Sequence, residues 1–505
     1  MVAGKGLYID GNWRAGEAVG FASCCPWDGE PLWRGAAAST AQVDAAVRAA
    51  RRALPQWAGR SVAERRKVLA AFADQLEANR ANLARIIALE TGKPLWEADT
   101  EISSMIGKLP LTLEAFQERR SHRRIKLAEA TGETFYKPHG VTAVFGPFNM
   151  PGHLPNGHIM PALLAGNTII YKPSELTPWM GQYTAELWQN AGLPPGVLNL
   201  VQGGREAGAD LASHSELDAI FFTGSFATGQ ALLQMSLPFP QRMLVLEMGG
   251  NNPLVIFDCA EIQAAAYTTV ISAFLTAGQR CTCARRLIVS DDAAGERLIA
   301  AVVDGTRRIR LGGPLDQPEP FMGPVITAAA AEKVLAAQRA LIARGARLLL
   351  EARRPDVRRP ALLSPGILDA TAAIDRPDEE VFGPLLQVIR VADFAAALRE
   401  ANRTRFGLSA ALLSDRADLW GHFRDGIRAG VVHFNRPTNG ASGALPFGGV
   451  GCSGNHRPSG YWAADYCSYP VACVETPRLA MPKQPLPACL EDGPSGARLS
   501  AGERI

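Results

Sequence analysis

The sequence predicts an α/β protein built on mostly parallel sheets with helices covering both faces. Three observations predict it. From about residue 140 to 260, short β-branched runs (VTAVFG, NTIIYK, GVLNLVQG, DAIFFTG, MLVLEM) alternate with helical stretches, which is the pattern of right-handed βαβ crossovers. Residues 262–450 repeat the alternation with longer helices, including 328–345, and read as a second α/β unit. Hydrophobic residues make up 47% and charged residues 20% of the 505-residue chain, which excludes disordered, collagen-like and coiled-coil classes.

Taken in order, the first 120 residues read as mainly helical. Ser61 and Glu64 form an S-x-x-E capping box opening a segment with apolar Val68, Leu69, Phe72, Leu76, Leu83, Ile86 and Ile87, which stops at Gly92, Lys93 and Pro94. This is one amphipathic helix with its weak point near Asn79. Parallel sheets bind ligands at the carboxyl ends of their strands, so the clusters GPFNMPG, KPSE, TGSFATG and EMGGNN are the places to search. After a Gly-rich hinge, PFGGVGCSG, residues 461–477 return to aromatic and β-branched character and read as a late strand. Prolines at 477, 482, 485, 487 and 494 mark a poorly ordered tail. No repeat of 20 to 50 residues is visible.

Charge sets further bounds. Lys and Arg total 52 against 49 Asp and Glu, a net +3, which offers no field for nucleic acid or an anionic membrane. A small-molecule partner is expected. The N-terminus lacks the apolar run of a signal peptide, and no stretch approaches the roughly 18 apolar residues of a membrane span, so a cytoplasmic location is expected. Nine cysteines are then expected as thiols.

Within AGQRCTCARR, Cys281 has Arg280, Arg285 and Arg286 nearby, a setting that favours a thiolate; taken alone, an inert buried thiol is the commoner reading. Cys281 and Cys283 form C-x-C without a second Cys/His pair, so no metal is expected. Glu247 ends an apolar run before two glycines, where desolvation can raise a carboxylate toward a working base, although a solvent-facing strand end is the simpler reading. TGSFATGQ opens a helix whose amides could meet a phosphate, yet it is neither a P-loop nor G-x-G-x-x-G. Lys172 and Glu175 of KPSE could bind ribose hydroxyls or phosphate, or be surface charges.

Seven motifs, FGPFNMP, KPSELTP, FTGS, EMGGNNP, GQRCTC, EEVFGP and PFGG, occur in the order and spacing of the aldehyde dehydrogenase superfamily, which the chain resembles from residue 5 to 478. The 34 residues separating Glu247 from Cys281 also resemble the family's spacing. The resemblance implies an atypical Rossmann NAD-binding domain (1–124 and 140–247), an α/β catalytic domain (248–455), a small β oligomerisation flap (125–139 and 456–478) and the Pro-rich tail 479–505. It implies Cys281 as nucleophile, Glu247 as general base, and Asn149 with the Cys281 backbone N–H as oxyanion hole. It further implies Lys172 and Glu175 on the adenosine ribose of NAD and Gly224, Ser225, Phe226, Ala227, Thr228 and Gly229 along the pyrophosphate. Glu380 and Phe382 would meet the nicotinamide riboside.

The stretches NMPGHLPNGHIMPALLAGNTIIYKPSELTPW, LEMGGNNPL, AGQRCTCARRL and SGNHRPSGYWAADYC are similar to the branch that oxidises an N-acylated amino-acid semialdehyde carrying carboxylates. Arg457, His456 and Arg119 are the candidate carboxylate ligands, with a purely structural role for HRPS as the alternative. A homodimer or homotetramer paired through the flap is expected. Rival readings are another aldehyde, a CoA-acylating variant, and a silent binding protein that kept the fold.

Overall fold

The computed structural model describes residues 1–479 and divides into two units, 1–121 with 137–469, and 122–136 with the chain from 470 onward.

The large unit holds two seven-stranded sheets. In the first, Met243–Glu247, Ala219–Thr223, Val141–Phe145, Thr168–Lys172 and Leu198–Leu200 run parallel, and Leu7–Ile9 then Asn12–Arg14 close the edge antiparallel. In the second the order is Arg347–Leu350, Gly366–Asp369, Leu385–Val391, Ala284–Ser290, Asn252–Ile256, Ser409–Leu413 and Val431–Phe434, parallel except for its first pair. Central strands such as Val141–Phe145 and Thr168–Lys172 are buried along their whole length, as a sheet with both faces covered demands. Each wholly buried aliphatic or aromatic side chain contributes about 1.5 to 3 kcal/mol.

The capping box forms: Ser61 accepts from the Glu64 N–H, and Glu64 accepts from the Ser61 N–H. The helix it opens breaks at Asn79, giving Val62–Ala78 and Arg80–Thr91, the second closed by Gly92 at φ 77°. Asn79 itself is tied down by donating to the Gln75 carbonyl and accepting from the Tyr183 hydroxyl, 2.8 Å in both cases. Phe72 stacks on Trp188 at 3.7 Å between centroids, which fastens this helical layer to the first sheet's cover.

Two sequence expectations require correction. Residues 2–36 are not helical: Val2–Ala3, Gly20–Cys24 and Pro31–Ala36 form a three-stranded sheet, in addition to the two edge strands above. These strands are short and half-exposed, so no clean alternation marks them. Residues 461–467 hold a short helix, Ala463–Tyr466, and the late strand is confined to Ser468–Glu475.

In the small unit, Arg123–Lys126 pairs antiparallel with Thr131–Pro138, and the three-stranded sheet is completed by Ser468–Glu475 at its edge. The expected tail lies, from residue 480, outside the described residues. No described helix is long and apolar enough to cross a membrane, and the eight described cysteines are free thiols.

Candidate active site

Register places the carboxyl ends of four strands in one row. Phe145 pairs with Lys172 and with Phe222, and Thr223 pairs with Glu247, so the loops leaving these strands share one edge of the sheet. Asn149, Lys172, Gly224 and Glu247 all sit on that edge.

Glu247 is 2% exposed, and one of its carboxylate oxygens has no partner among the described residues. Burial, helped by the negative charge of Glu380, pushes its pKa up to about 8, while a hydrogen bond from the Cys281 thiol opposes the rise. Nucleophile and base candidates thus lie close enough for each to shift the other's titration. The thiol is pushed well above its ordinary value by burial and then by the charges of Glu247 and Glu380.

That direction corrects the expectation that flanking arginines favour a thiolate. Arg280 pairs with Glu97 at 2.8 Å, and Arg285 reaches Glu380 at 3.4 Å and the carbonyls of Gly278, Gly383 and Arg280. Arg286 donates to the carbonyls of Asn251, Glu400 and Ala401. Sequence proximity put the three cations beside Cys281; the fold turns each guanidinium onto another acceptor. Thiolate formation therefore needs a neighbouring base, and Glu247 is the titratable group that the thiol meets.

The turn carrying Cys281 is held in an unusual backbone. Thr276, Ala277 and Gly278 follow helix Ile262–Phe274 with φ of 56°, 54° and 70°. At Gly278 a Cβ would stand 2.2 Å from the Gly383 carbonyl oxygen, so only glycine allows that approach. Such left-handed non-glycine residues persist only where surrounding structure fixes them. Here the fixing groups are Glu97, which accepts from both the Thr276 hydroxyl and Arg280, and Asn252. The Asn252 amide donates to the carbonyls of Cys281 (2.7 Å) and Cys283 (2.9 Å) and accepts from the Ser409 N–H (3.0 Å).

Asn149 is 6% exposed and donates one amide N–H to the Gln279 carbonyl at 2.8 Å, which aims the amide at the Cys281 turn. Its own carbonyl accepts from Lys93 at 2.7 Å; Lys93 is paired with Glu101 at 2.8 Å, and Glu101 accepts from the Gly152 and His153 amides. Sequence reasoning missed Lys93, Glu97, Glu101 and Asn252. Only the last lay inside a motif singled out, EMGGNN.

On the cofactor side, Lys172 is 7% exposed and, among the described residues, its ammonium finds only its neighbour's carbonyl, Pro173, at 3.2 Å. Burial lowers its pKa, and nearby Glu175, exposed at the loop, opposes the fall. Helix Phe226–Ser236 starts on this edge, capped by Ser225 accepting from the Thr228 N–H at 3.2 Å, and the Gly224 N–H donates to the Glu247 carbonyl at 3.0 Å. At Gly229 a Cβ would stand 2.1 Å from the Met248 sulfur, so this glycine lets the helix close on the strand end. Ala227 lies exposed in that first turn. A buried ammonium short of partners, an exposed carboxylate and a helix N-terminus fit the ribose and pyrophosphate of a dinucleotide. Glu380 approaches Gly249, and Phe382 lies edge-on to Phe148 at 5.9 Å with Arg285 over its face at 5.4 Å. Glu380 thus stands beside the Cys281–Glu247 pair, whose pKa values its charge raises.

The substrate-side candidates separate. Arg119 is bound to Asp465 through two nitrogens and stacks on Trp462 at 4.3 Å, so its guanidinium is already engaged. His456 is exposed. Arg457 is half-buried, gives one nitrogen to the Gly449 carbonyl at 2.8 Å, and has no carboxylate partner among the described residues. The segment before them clips onto the strand of the base: Asn455 exchanges hydrogen bonds with Leu246, and Met248 donates to Ser453.

A model described as the aldehyde dehydrogenase family matches residues 13–471. The chain is 54% identical over 478 residues to the N-succinylglutamate 5-semialdehyde dehydrogenase of Chromobacterium violaceum, covering 95% of this chain and 98% of that protein. It is 53% identical over 476 residues to the protein of the same name from Pseudomonas fluorescens, covering 94% and 97%. Among solved structures, it is similar to a point mutant of betaine aldehyde dehydrogenase from Staphylococcus aureus in complex with NAD+ (TM-score 0.89, 26% identity, 95% of this chain and 97% of that one). It is also similar to the NADP-dependent glyceraldehyde-3-phosphate dehydrogenase of Bacillus halodurans complexed with NADP (TM-score 0.87, 28% identity, 93% and 99%).

Proposed function

The chain belongs to the aldehyde dehydrogenase family, and from that premise we propose that it oxidises N-succinyl-L-glutamate 5-semialdehyde to N-succinyl-L-glutamate with NAD, in arginine catabolism. The observation that carries the chemistry is the Cys281 thiol beside the buried Glu247 carboxylate at the sheet edge, each shifting the other's titration. The substrate rests on the relatives' name and their 52–54% identity over nearly the whole chain.

In the acylation half-reaction Glu247 takes the thiol proton and the Cys281 sulfur adds to the aldehyde carbon. The second amide N–H of Asn149 and the Cys281 backbone N–H receive the oxyanion of the thiohemiacetal. Removing one such donor typically costs about 10²- to 10³-fold in kcat. NAD, when bound, supplies the hydride acceptor. Lys172, Glu175 and the segment 224–229 hold its ribose and pyrophosphate, while Glu380 and Phe382 bound the nicotinamide end. The thioester left on Cys281 is then hydrolysed by a water that Glu247 deprotonates. A hydrolytic base at this position favours the free acid over a CoA thioester as product.

The exposed Glu175 carboxylate favours NAD over NADP, since it accepts from a 2′-hydroxyl and repels a 2′-phosphate. Eight free thiols suit a reducing cytoplasm, and the partner is the small-molecule aldehyde. Steady-state NADH formation with N-succinylglutamate, glutamate and succinate semialdehydes tests the substrate. The proposal expects the first to exceed the others at least a hundredfold in kcat/KM, and comparable values would overturn it.

A further inference from the structure

Three cations, the buried Lys93 and Lys108 and the half-buried Arg280, act on the segment from Asn149 to His153. Lys93 is neutralised by Glu101 and Arg280 by Glu97, each at 2.8 Å. Lys108, only 5% exposed, has no carboxylate within 4.0 Å among the described residues; its ammonium donates to the Ser459 hydroxyl at 3.1 Å. A desolvated ammonium without a counter-ion destabilises a fold. Burial accordingly pulls its pKa down to about 8.

The surroundings hold Ser459 in place for that cation. Ser459 has φ 72°, and its N–H donates to the Tyr466 hydroxyl (3.0 Å), which in turn bonds His158 at 2.8 Å. Across from it, a Cβ at Gly157 would stand 2.5 Å from the Ser459 hydroxyl, so glycine is what admits the serine. His153, one turn earlier on the same helix, feels the positive charges of Lys108 and of Arg280, the residue preceding Cys281. His153 thus stands between Lys108 and the arginine that precedes the reacting cysteine. The Nδ1 of His153 is buried without a partner.

We propose that Lys108 and Ser459 form a carboxylate subsite, selecting aldehydes that carry an anionic group remote from the reacting carbon. This rests on, and sharpens, the substrate reading above. The ammonium gains its missing counter-ion and the Ser459 hydroxyl, which accepts from Lys108, donates its own proton to the carboxylate. The unpartnered His153 nitrogen offers an acceptor for an amide N–H, a group that an N-acylated substrate supplies.

The test uses Lys108→Met, which keeps the stem and removes the charge. The ratio of kcat/KM for N-succinylglutamate semialdehyde over propanal should fall at least tenfold, mainly through KM, and Tm should rise because an unpaired buried charge is gone. Competitive inhibition of propanal oxidation by glutarate should weaken at least tenfold. Ser459→Ala should lower the same ratio by a smaller factor, and it decides the matter should Lys108→Met fail to fold. Equal losses on both aldehydes with a lowered Tm, or unchanged glutarate inhibition, would overturn the subsite. A wild-type enzyme indifferent to the succinylglutamate group would refute the substrate reading, while the glutarate comparison still decides the role of Lys108.

Discussion

At Glu247 function and stability pull in opposite directions. Because burial holds its folded pKa near 8, against an ordinary carboxylate value of 4.5, the folded state keeps a proton that the unfolded chain releases. Stability therefore falls as pH rises between those two values, with a slope of up to about 1.4 kcal/mol per pH unit for one proton, and the loss persists above pH 8. Glu247→Gln should consequently raise Tm more at pH 9 than at pH 5, which thermal unfolding at the two pH values measures; an equal gain contradicts the raised pKa. Cys281→Ala should abolish NADH formation, and brief alkylation should mark Cys281 before the fully buried Cys283, as peptide mass mapping will report. Glu175→Gln should narrow the ratio of catalytic efficiencies for NAD and NADP, and equal efficiencies in the unmodified enzyme would exclude its ribose role. At this scale the sequence drew attention to Glu247 and Asn149 through motifs that follow strands, and to Cys281 through GQRCTC, just ahead of the strand Ala284–Ser290. It could not reveal where Arg280, Arg285 and Arg286 point, since acceptors such as Glu97 for Arg280 and Glu400 for Arg286 lie 183 and 114 positions away in the chain.

At the level of elements, the reactive turn depends on a clamp. Asn252→Asp keeps acceptance from the Ser409 N–H but cannot donate, leaving the Cys281 and Cys283 carbonyls unpaired at about 1 to 3 kcal/mol for each buried group. We expect a lower Tm and a kcat reduced at least tenfold, with KM for NAD little changed; an intact kcat would show that the turn holds without the clamp. Gly249 offers the converse case. With φ 60° and a Cβ that would stand 2.0 Å from the Glu380 carboxylate, Gly249→Ala should displace Glu380 and raise KM for NAD. The parallel strands were legible because both their faces are buried and their apolar runs are continuous. The strands of residues 2–36 were not, since edge strands of two to six residues with mixed exposure carry no periodicity of their own.

For the molecule as a whole, the site is assembled from segments spread between Lys93 and Asn455, all within the large unit. In the small unit, Ser468–Glu475 is an edge strand that leaves Val474 67% exposed, and the paired Arg123–Lys126 strand leaves Ile125 46% exposed. Unpaired edges with apolar side chains favour pairing with a second chain, so light scattering should return the mass of a homodimer or homotetramer, and a monomer would contradict this. The central claim is that two half-reactions share one pocket, Cys281 carrying the acyl group and Glu247 releasing it. Rapid mixing of Glu247→Gln with NAD and N-succinylglutamate semialdehyde tests that claim most directly. Because Glu247 serves both half-reactions, the account predicts a burst of NADH slower than that of the unmodified enzyme yet near one equivalent per active site, turnover slower still, and an acyl mass increment on the Cys281 peptide; a variant that gives neither burst nor increment would contradict it.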